Sequence, residues 1–182
     1  PDKRDQRITQ LARDLGIRVD TVDRRMLDEL SAPGAHQGIM AEVPDFSYTQ
    51  LERIIDATEG EKDALILVLD HITDEGNLGA IIRSAEVVGA SGVVIPAKRA
   101  AQVGVGVYKT SAGAALHIPI ARVTNIADSV EQLKRAGFWV AGASEKADQD
   151  IWSAPLSGRI ALVSGAEDKG ISRLVTERCD FL

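Results

Sequence analysis

Short apolar runs alternate with helix-like segments over the last two thirds of the chain. Continuous runs such as ALILVLD predict strands that are buried on both faces, because a half-buried strand would alternate apolar and polar residues. Between the runs, apolar residues recur at helical spacing. The pattern therefore predicts an α/β fold with a parallel sheet that helices cover on both sides. The strands are predicted at residues 64–70, 92–96, 116–123, 139–144 and 159–165, and the main helices at 77–89, 125–138 and 171–179.

The first 63 residues have a different, weaker pattern. Residues 4–15 predict an amphipathic helix that stops at Gly16, and a short helix is predicted to end near Pro33 and Gly34. Apolar and polar residues alternate over 17–23 and, less regularly, over 37–43, which predicts two strands. We therefore expect a small α/β unit over 1–45, a linker over 46–63 and a larger domain over 64–182.

Composition excludes several classes of protein. The chain of 182 residues has a single cysteine, which rules out an internal disulfide framework and a multi-cysteine zinc site. Its three histidines are scattered, so no metal is predicted. His71 follows a predicted strand end and could line a site there, but it is expected to be a solvated loop residue. No apolar run reaches the roughly 18–20 residues that span a bilayer. The net charge of −6 argues weakly against a nucleic-acid partner, although a local basic patch remains compatible with it.

Glycine, serine and alanine collect just after the predicted strands, where ligands bind in parallel sheets. Two nucleotide motifs are nevertheless missing. In GVGVYKT, Tyr108 stands where a phosphate-binding loop needs a glycine before Lys109. No G-x-G-x-x-G follows the first predicted strand. The sequence therefore supports neither ATP nor a nicotinamide cofactor.

Arg83 interrupts a helix that is otherwise built from small and apolar residues. Helical spacing places it on one face with Gly79 and Glu86. One interpretation is a solvent-exposed ion pair with Glu86. The other is that the guanidinium leans toward the helix N-terminus, near Asn77, where it would suit a phosphate. The pattern alone favours neither.

Two separated motifs resemble those of a known family. DHITDEGNLGAIIRSAEVVGASGVVIP is similar to motif 1 of the SpoU, or TrmH-like, branch of the SPOUT RNA methyltransferases, and IALVSGAEDKGIS is similar to motif 2. The stretches YKTSAGAALHIPIARVTNIADSVEQLK and APGAHQGIMAEV also match, so the resemblance covers essentially the whole chain. It is closest to the bacterial 23S rRNA (guanosine-2′-O-)-methyltransferases.

This resemblance implies a C-terminal trefoil knot and a cytoplasmic homodimer without membrane contact. It also implies methyl transfer from S-adenosylmethionine to a ribose 2′-hydroxyl of RNA. The substrate that it implies is a guanosine of 23S ribosomal RNA. It also implies that residues 1–45 are part of an L30e-like RNA-binding domain. By position in the motifs, the resemblance assigns catalysis to Asn77, Arg83 and Glu167, cofactor binding to Gly142, Ala143, Ser144, Gly165 and Ala166, and RNA contact to Arg83 and Lys109.

The family's third motif, with further catalytic and cofactor residues, is expected after residue 182. We therefore expect residues 1–182 alone to be inactive. Two alternatives stay open: a tRNA ribose 2′-O-methyltransferase, and a non-catalytic RNA-binding member of the fold that assists ribosome assembly. The target nucleotide is not encoded in any pattern of the sequence.

Overall fold

A computed structural model of the chain describes residues 3–31 and 36–182, which divide between Pro44 and Asp45 into two compact units. The first unit contains the helices α1 (Lys3–Asp14) and α2 (Arg24–Leu30). Helix α2 begins where the Asp23 carboxylate accepts the N–H of Met26 at 2.8 Å, a typical N-cap. The expected end of this helix near Pro33 and Gly34, like the first four residues of APGAHQGIMAEV, lies outside the described residues.

The prediction of two strands in the first unit, over 17–23 and 37–43, is wrong. Both segments are irregular, the second begins with a turn at Gln37 and Gly38, and no strand of the described part of the chain pairs with them. Their apolar side chains lie largely in solvent: Ile17 is 57% and Val43 is 61% exposed. Alternation alone is not enough, because a strand also needs a neighbour to bond its backbone.

The second unit holds a five-stranded sheet. Its elements, in chain order, are α3 (Leu51–Asp56), β1 (Ala64–Asp70), α4 (Glu75–Val87), β2 (Gly92–Pro96), α5 (Val105–Thr110), a 3-10 turn (Ala114–Leu116), β3 (Ile120–Val123), α6 (Ile126–Arg135), β4 (Trp139–Ala143), β5 (Arg159–Gly165) and α7 (Arg173–Arg178). The strand order is β3-β2-β1-β5-β4, and every pairing is parallel. The predicted α/β class with a parallel sheet is confirmed.

The order of the strands brings the two motif loops together. Strands β1 and β5 pair along their whole length, from Ala64 opposite Arg159 to Asp70 opposite Gly165. The chain moves to one side of β1 through β2 and β3, and to the other side through β5 and β4. This reversal is a topological switch point, where ligands bind at the carboxyl ends of the strands.

Apolar side chains fill both faces of the sheet. On one face, Ile66 and Val68 of β1 belong to a buried cluster with Val130 and Leu133 of α6. On the other face, Leu69 belongs to a cluster to which α4 and α5 contribute. Because helices cover both faces, the strands can be almost wholly apolar, as their sequences are.

The segment 46–63 packs on the second unit instead of forming the expected linker. Leu51 and Ile54 of α3 are 3% and 1% exposed and belong to the core. Just before α3, the backbone N–H of Thr49 donates to the carbonyl of Ile120 in β3 at 2.9 Å. The hydroxyl of Tyr48 accepts the N–H of Val103 at 2.8 Å. The apolar spacing of Leu51, Ile54 and Ile55 predicts a helix within 44–63, but the polar composition of the segment around it predicted a connection and not part of the core.

The last residues continue the sheet beyond β4. Phe181 forms a parallel bridge with Ala141, and its carbonyl accepts the N–H of Gly142 at 2.9 Å. The Asp180 carboxylate accepts the N–H of Val140 at 2.8 Å and pairs with Lys134 of α6 at 2.8 Å. Residues 180–182 therefore lie beside β4. Over the described ranges, helices are too short or too polar to cross a bilayer.

Candidate active site

Motif 1 places Asn77 in the first turn of α4, at the carboxyl end of β1. The helix begins at Asp74, whose side chain accepts the backbone N–H of Asn77 at 2.7 Å. This N-cap bond fixes where the helix starts. It leaves the Asn77 side chain free to extend toward the neighbouring strand β5.

Motif 2 meets Asn77 through Glu167. The side-chain nitrogen Nδ2 of Asn77 donates to Oε1 of Glu167 at 2.9 Å, across 90 residues of sequence. Two of the three residues that the resemblance assigns to catalysis are therefore bonded to each other.

A tight turn holds Glu167 in place. Ala166 and Gly170 form an antiparallel bridge, with the Gly170 N–H donating to the Ala166 carbonyl at 2.7 Å. At Gly165 a side chain would overlap the backbone of Gly170 and Ile171. The glycine is therefore required for the loop to fold back on itself and present Glu167.

The two motifs line one cavity of about 440 Å³. Its wall includes Asn77 and Glu167, together with the backbone of Gly165 and Ala166. The volume lies within the roughly 300–1,000 Å³ that small-molecule sites occupy. Asp74 and Asp168 also line it, so three of its described residues are carboxylates. The residues that the resemblance assigns to catalysis and to cofactor binding are thus partly brought together.

The five cofactor-binding candidates have different surroundings. Ala143 of β4 lies opposite Ser164 of β5, so the two strand ends are adjacent. Gly165 and Ala166 face the cavity with small side chains or none, which suits backbone contact with a ligand such as S-adenosylmethionine. Ala143 is exposed and Ser144 is half-buried, and neither lines the cavity. Of the five candidates, Gly165 and Ala166 therefore have both the size and the position to contact a ligand in this cavity.

Gly142 has a packing role in this structure. It is buried, and a side chain there would meet Leu182 at 2.7 Å and the Cys179 sulfur at 3.1 Å. Its N–H is already bonded to Phe181. The absence of a side chain at Gly142 therefore lets the segment after α7 approach β4.

Arg83 is exposed on α4 and does not line the cavity. Within the described ranges it has neither a hydrogen bond nor an ion pair, so the surface pair with Glu86 is not formed. Lys109 of α5 is likewise exposed and unpaired among the described residues. Both cations remain available to a ligand outside the cavity.

Close packing of α4 on α5 sets the place of these two cations. A side chain at Gly79 would overlap the Thr110 hydroxyl, and one at Gly106 would overlap the Glu75 carboxylate. The Thr110 hydroxyl donates to the backbone carbonyl of Glu75 at 3.1 Å. The face of α4 that carries Arg83 is therefore partly buried at Gly79, one turn earlier, whereas the sequence alone placed the whole face away from the packing surface.

The sequence analysis missed a buried aspartate at the end of β1. Asp70 is 1% exposed, and its carboxylate accepts the N–H of Ser172, before α7, at 2.7 Å. The other carboxylate oxygen lies 2.6 Å from Nδ1 of His71. His71 is therefore held by a buried partner and is not the freely solvated residue that was expected. The signal was an acidic residue closing an otherwise apolar strand.

The fold and the cavity define a parallel α/β domain with a ligand site between two loops at the sheet's switch point. Comparisons with known proteins specify the class further. Residues 64–182 match the SpoU rRNA Methylase family, and residues 1–49 match the domain described as RNA 2'-O ribose methyltransferase substrate binding. The chain belongs to the SpoU rRNA methylase family.

Individual relatives agree with this assignment. The chain is 42% identical over 184 residues to the 23S rRNA (guanosine-2'-O-)-methyltransferase RlmB of Pseudomonas aeruginosa, covering all of this chain and 73% of that protein. It is 39% identical to RlmB of Photobacterium profundum, over all of this chain and 75% of that one.

Among solved structures, the SpoU methyltransferase AviRb of Streptomyces viridochromogenes, in complex with AdoMet, superposes with a TM-score of 0.62 at 30% identity. The match covers 69% of this chain and 52% of that chain, so the chain spans about half the length of this structural relative.

Proposed function

We propose that this protein transfers the methyl group of S-adenosylmethionine to a ribose 2′-hydroxyl of RNA, and that its substrate is a guanosine of 23S ribosomal RNA. The observation that carries the proposal is the 2.9 Å bond between Asn77 and Glu167, which joins the two family motifs at the wall of one cavity. The substrate is inferred from the two RlmB relatives at 42% and 39% identity.

The partner of Asn77 determines how its amide is turned. An ionised carboxylate accepts hydrogen bonds only, so the NH₂ group of Asn77 must face Glu167. The amide oxygen then points away from Glu167, and no described residue donates to it. An oriented carbonyl oxygen is suited to accept a hydrogen bond from a ribose hydroxyl and so to hold the 2′-oxygen in position.

S-adenosylmethionine, when bound, supplies an electrophilic methyl group. The ribose 2′-oxygen must lose its proton as it takes that group, and the residues around Asn77 include no histidine to accept it. Arg83 contributes by charge: a guanidinium presents five N–H donors and no acceptor, so it is a poor base and a good phosphate ligand. We assign two roles to Arg83. It binds the RNA phosphate beside the target ribose, and it stabilises the negative charge that develops on the 2′-oxygen.

The loops after β4 and β5 are assigned to the cofactor. Gly165 and Ala166 line the cavity, Ala143 and Ser144 flank it, and Gly142 permits the close packing behind them. Lys109 is assigned to RNA, because it is exposed at the carboxyl edge of the sheet on α5. From the family resemblance we further propose an L30e-like RNA-binding fold for residues 1–45, the trefoil knot, a homodimer and a cytoplasmic location.

The proposal is tested by mapping 2′-O-methyl groups in ribosomal and transfer RNA from a strain that lacks the gene. We expect one guanosine of 23S ribosomal RNA to lose its methyl group, and the purified full-length protein to restore it with S-adenosylmethionine. A tRNA nucleotide that loses its methyl group instead would support the tRNA methyltransferase alternative. Unchanged methylation in both RNAs, together with no binding of S-adenosylmethionine by calorimetry, would leave the non-catalytic RNA-binding alternative.

A further inference from the structure

A second cavity, of about 330 Å³, lies at the same edge of the sheet, beyond the other side of β1. Its described wall includes Asp70 and His71 after β1, and Lys98 and Arg99 after β2. The next residue, Ile72, lines the first cavity, the one between the two motifs. The segment 70–73 therefore separates the two cavities, which are neighbours along the ligand edge.

The charge of this cavity is positive. Lys98 and Arg99 are exposed, and neither has a hydrogen bond or an ion pair within residues 3–31 and 36–182. The single carboxylate on the described wall belongs to Asp70, which is 1% exposed and already bonded to His71 and to the N–H of Ser172. Two unpaired cations thus face a cavity whose only acid is engaged elsewhere, in a chain whose net charge is −6.

The cavity has an apolar side as well. Pro96 and Leu174 line it, and Leu174 is 48% exposed although it is a large apolar residue. At the adjacent start of α6, the Asn125 side chain accepts the N–H groups of Ala127 and Asp128. The cavity therefore offers cationic side chains for an anion and an apolar surface for a flat or sugar-like group.

The backbone around the cavity is also unusual. His71 and Arg99 both adopt left-handed conformations, with φ of 63° and 57°. Residues other than glycine seldom adopt them, because the Cβ atom is crowded there. Two such residues on the wall of one cavity fit a binding site better than a random loop arrangement.

We infer that this cavity holds one nucleotide of the RNA substrate next to the methylated one, with its phosphate on Lys98 and Arg99 and its base or ribose against Leu174. The inference rests on the proposed function for the identity of the ligand. An anionic head and an apolar body are the chemistry of a nucleotide, and phosphate contacts supply most of the affinity of RNA and DNA binding.

The test measures how RNA binding depends on salt. The probe is a 23S ribosomal RNA transcript titrated with the full-length protein between 50 and 200 mM salt, conditions over which phosphate contacts weaken steeply. The variant is Lys98→Gln with Arg99→Asn, because asparagine tolerates the left-handed conformation. The control, Lys62→Gln with Arg135→Gln, removes the same charge from the opposite edge of the sheet, where Lys62 precedes β1 and Arg135 ends α6.

We expect the slope of log K against log salt to become shallower by about 0.7–0.9 in the cavity variant, since the two cations share one phosphate and each phosphate contact contributes roughly that much. The control variant should keep the wild-type slope. Lys98→Gln alone, which leaves Arg99 untouched, should account for about half of the change and guards against misfolding of the double variant.

Equal slopes for the cavity variant and the control would overturn the inference. A second result would also overturn it: inorganic phosphate at low concentration shifts the NMR signals of His71, while the cavity variant keeps the wild-type salt slope for RNA. The cavity would then bind a free anion. A wild-type protein that binds RNA but neither binds S-adenosylmethionine nor methylates RNA would contradict the proposed function without affecting this result.

Discussion

Asn77 and Glu167 form one unit: the amide of the first donates to the carboxylate of the second at 2.9 Å. Glu167 is exposed on the cavity wall, and its side-chain hydrogen bond within the described structure goes to Asn77, so its expected role is to position Asn77. Positioning residues act together with the residue they hold, and their mutational effects are not additive.

We therefore predict that Glu167→Ala costs little more in kcat/KM once Asn77 is already alanine. Each single substitution should lower kcat/KM, whereas the double variant should resemble Asn77→Ala alone. Glu167→Gln should stay near the wild-type value, because its amide oxygen still accepts the bond from Asn77. The measurement is a double-mutant cycle on methyl transfer by the full-length protein. Asp168→Ala, a neighbour with no bond to Asn77, serves as the additive control, and additive losses for the Asn77–Glu167 pair would refute the positioning role.

Arg83 should matter for turnover and not for folding. It is exposed and has no partner in the described structure, so Arg83→Ala should leave the unfolding temperature unchanged. Removing one oriented charge from a reacting centre typically lowers the rate about 10²–10³-fold. Calorimetry with S-adenosylmethionine separates the roles: unchanged cofactor affinity with lost turnover supports the proposal, and lost affinity would mean that Arg83 is structural. Glu86→Ala on the same face should be silent in both measurements.

Gly79→Ala should destabilise the domain. The new methyl group would overlap the Thr110 hydroxyl and approach the backbone nitrogen of Ser111 within 2.9 Å, so α4 and α5 would have to separate. Overpacking of this kind costs about 1–3 kcal/mol. Urea denaturation followed by tryptophan fluorescence measures the change. Gly104→Ala is the matched control, because it has open space for a methyl group and no positive φ. Equal stability of the two variants would show that the contact relaxes freely.

Cys179 should react slowly with thiol reagents. The pKa of its thiol is raised from 9.0 to about 11, mainly by burial and to a smaller extent by the nearby Asp180 carboxylate. A higher pKa keeps the thiol protonated, and the thiolate is the reactive form. Two pKa units lower the thiolate fraction at pH 8 by about 100-fold. We expect labelling of native protein by a disulfide reagent to be slower than labelling in urea by at least that factor, with a rate that rises up to pH 11. A rate that levels off near pH 9 would contradict the raised pKa.

Much of the larger unit follows from the apolar pattern. The strands predicted at 64–70, 92–96 and 159–165 appear at those residues, since each is a continuous apolar run that both faces of the sheet bury. The alternating segments 17–23 and 37–43 failed for the opposite reason: periodicity describes a face, and nothing in it guarantees a bonding partner.

The candidate site was less accessible to local reasoning. The resemblance supplied Asn77 and Glu167 separately, but their contact depends on β1 lying beside β5, which no spacing in the sequence reveals. The second cavity was missed because its residues follow three different strands and include part of α7. Lys98 and Arg99 are two of several basic residues that could contact RNA, and nothing in their local sequence shows that they share a cavity with His71.

The position of β5 also bears on how the chain folds. It is the last of the five strands along the sequence, yet it lies between β1 and β4. Until it arrives, β4 has no strand to join, and the β1-β2-β3 half presents an open, bonding-competent edge at β1. Contacts between segments so distant in sequence form slowly, because loop closure must precede them. Assembly of the sheet is therefore expected to wait for the insertion of β5 between β1 and β4, and the same late step completes the binding edge.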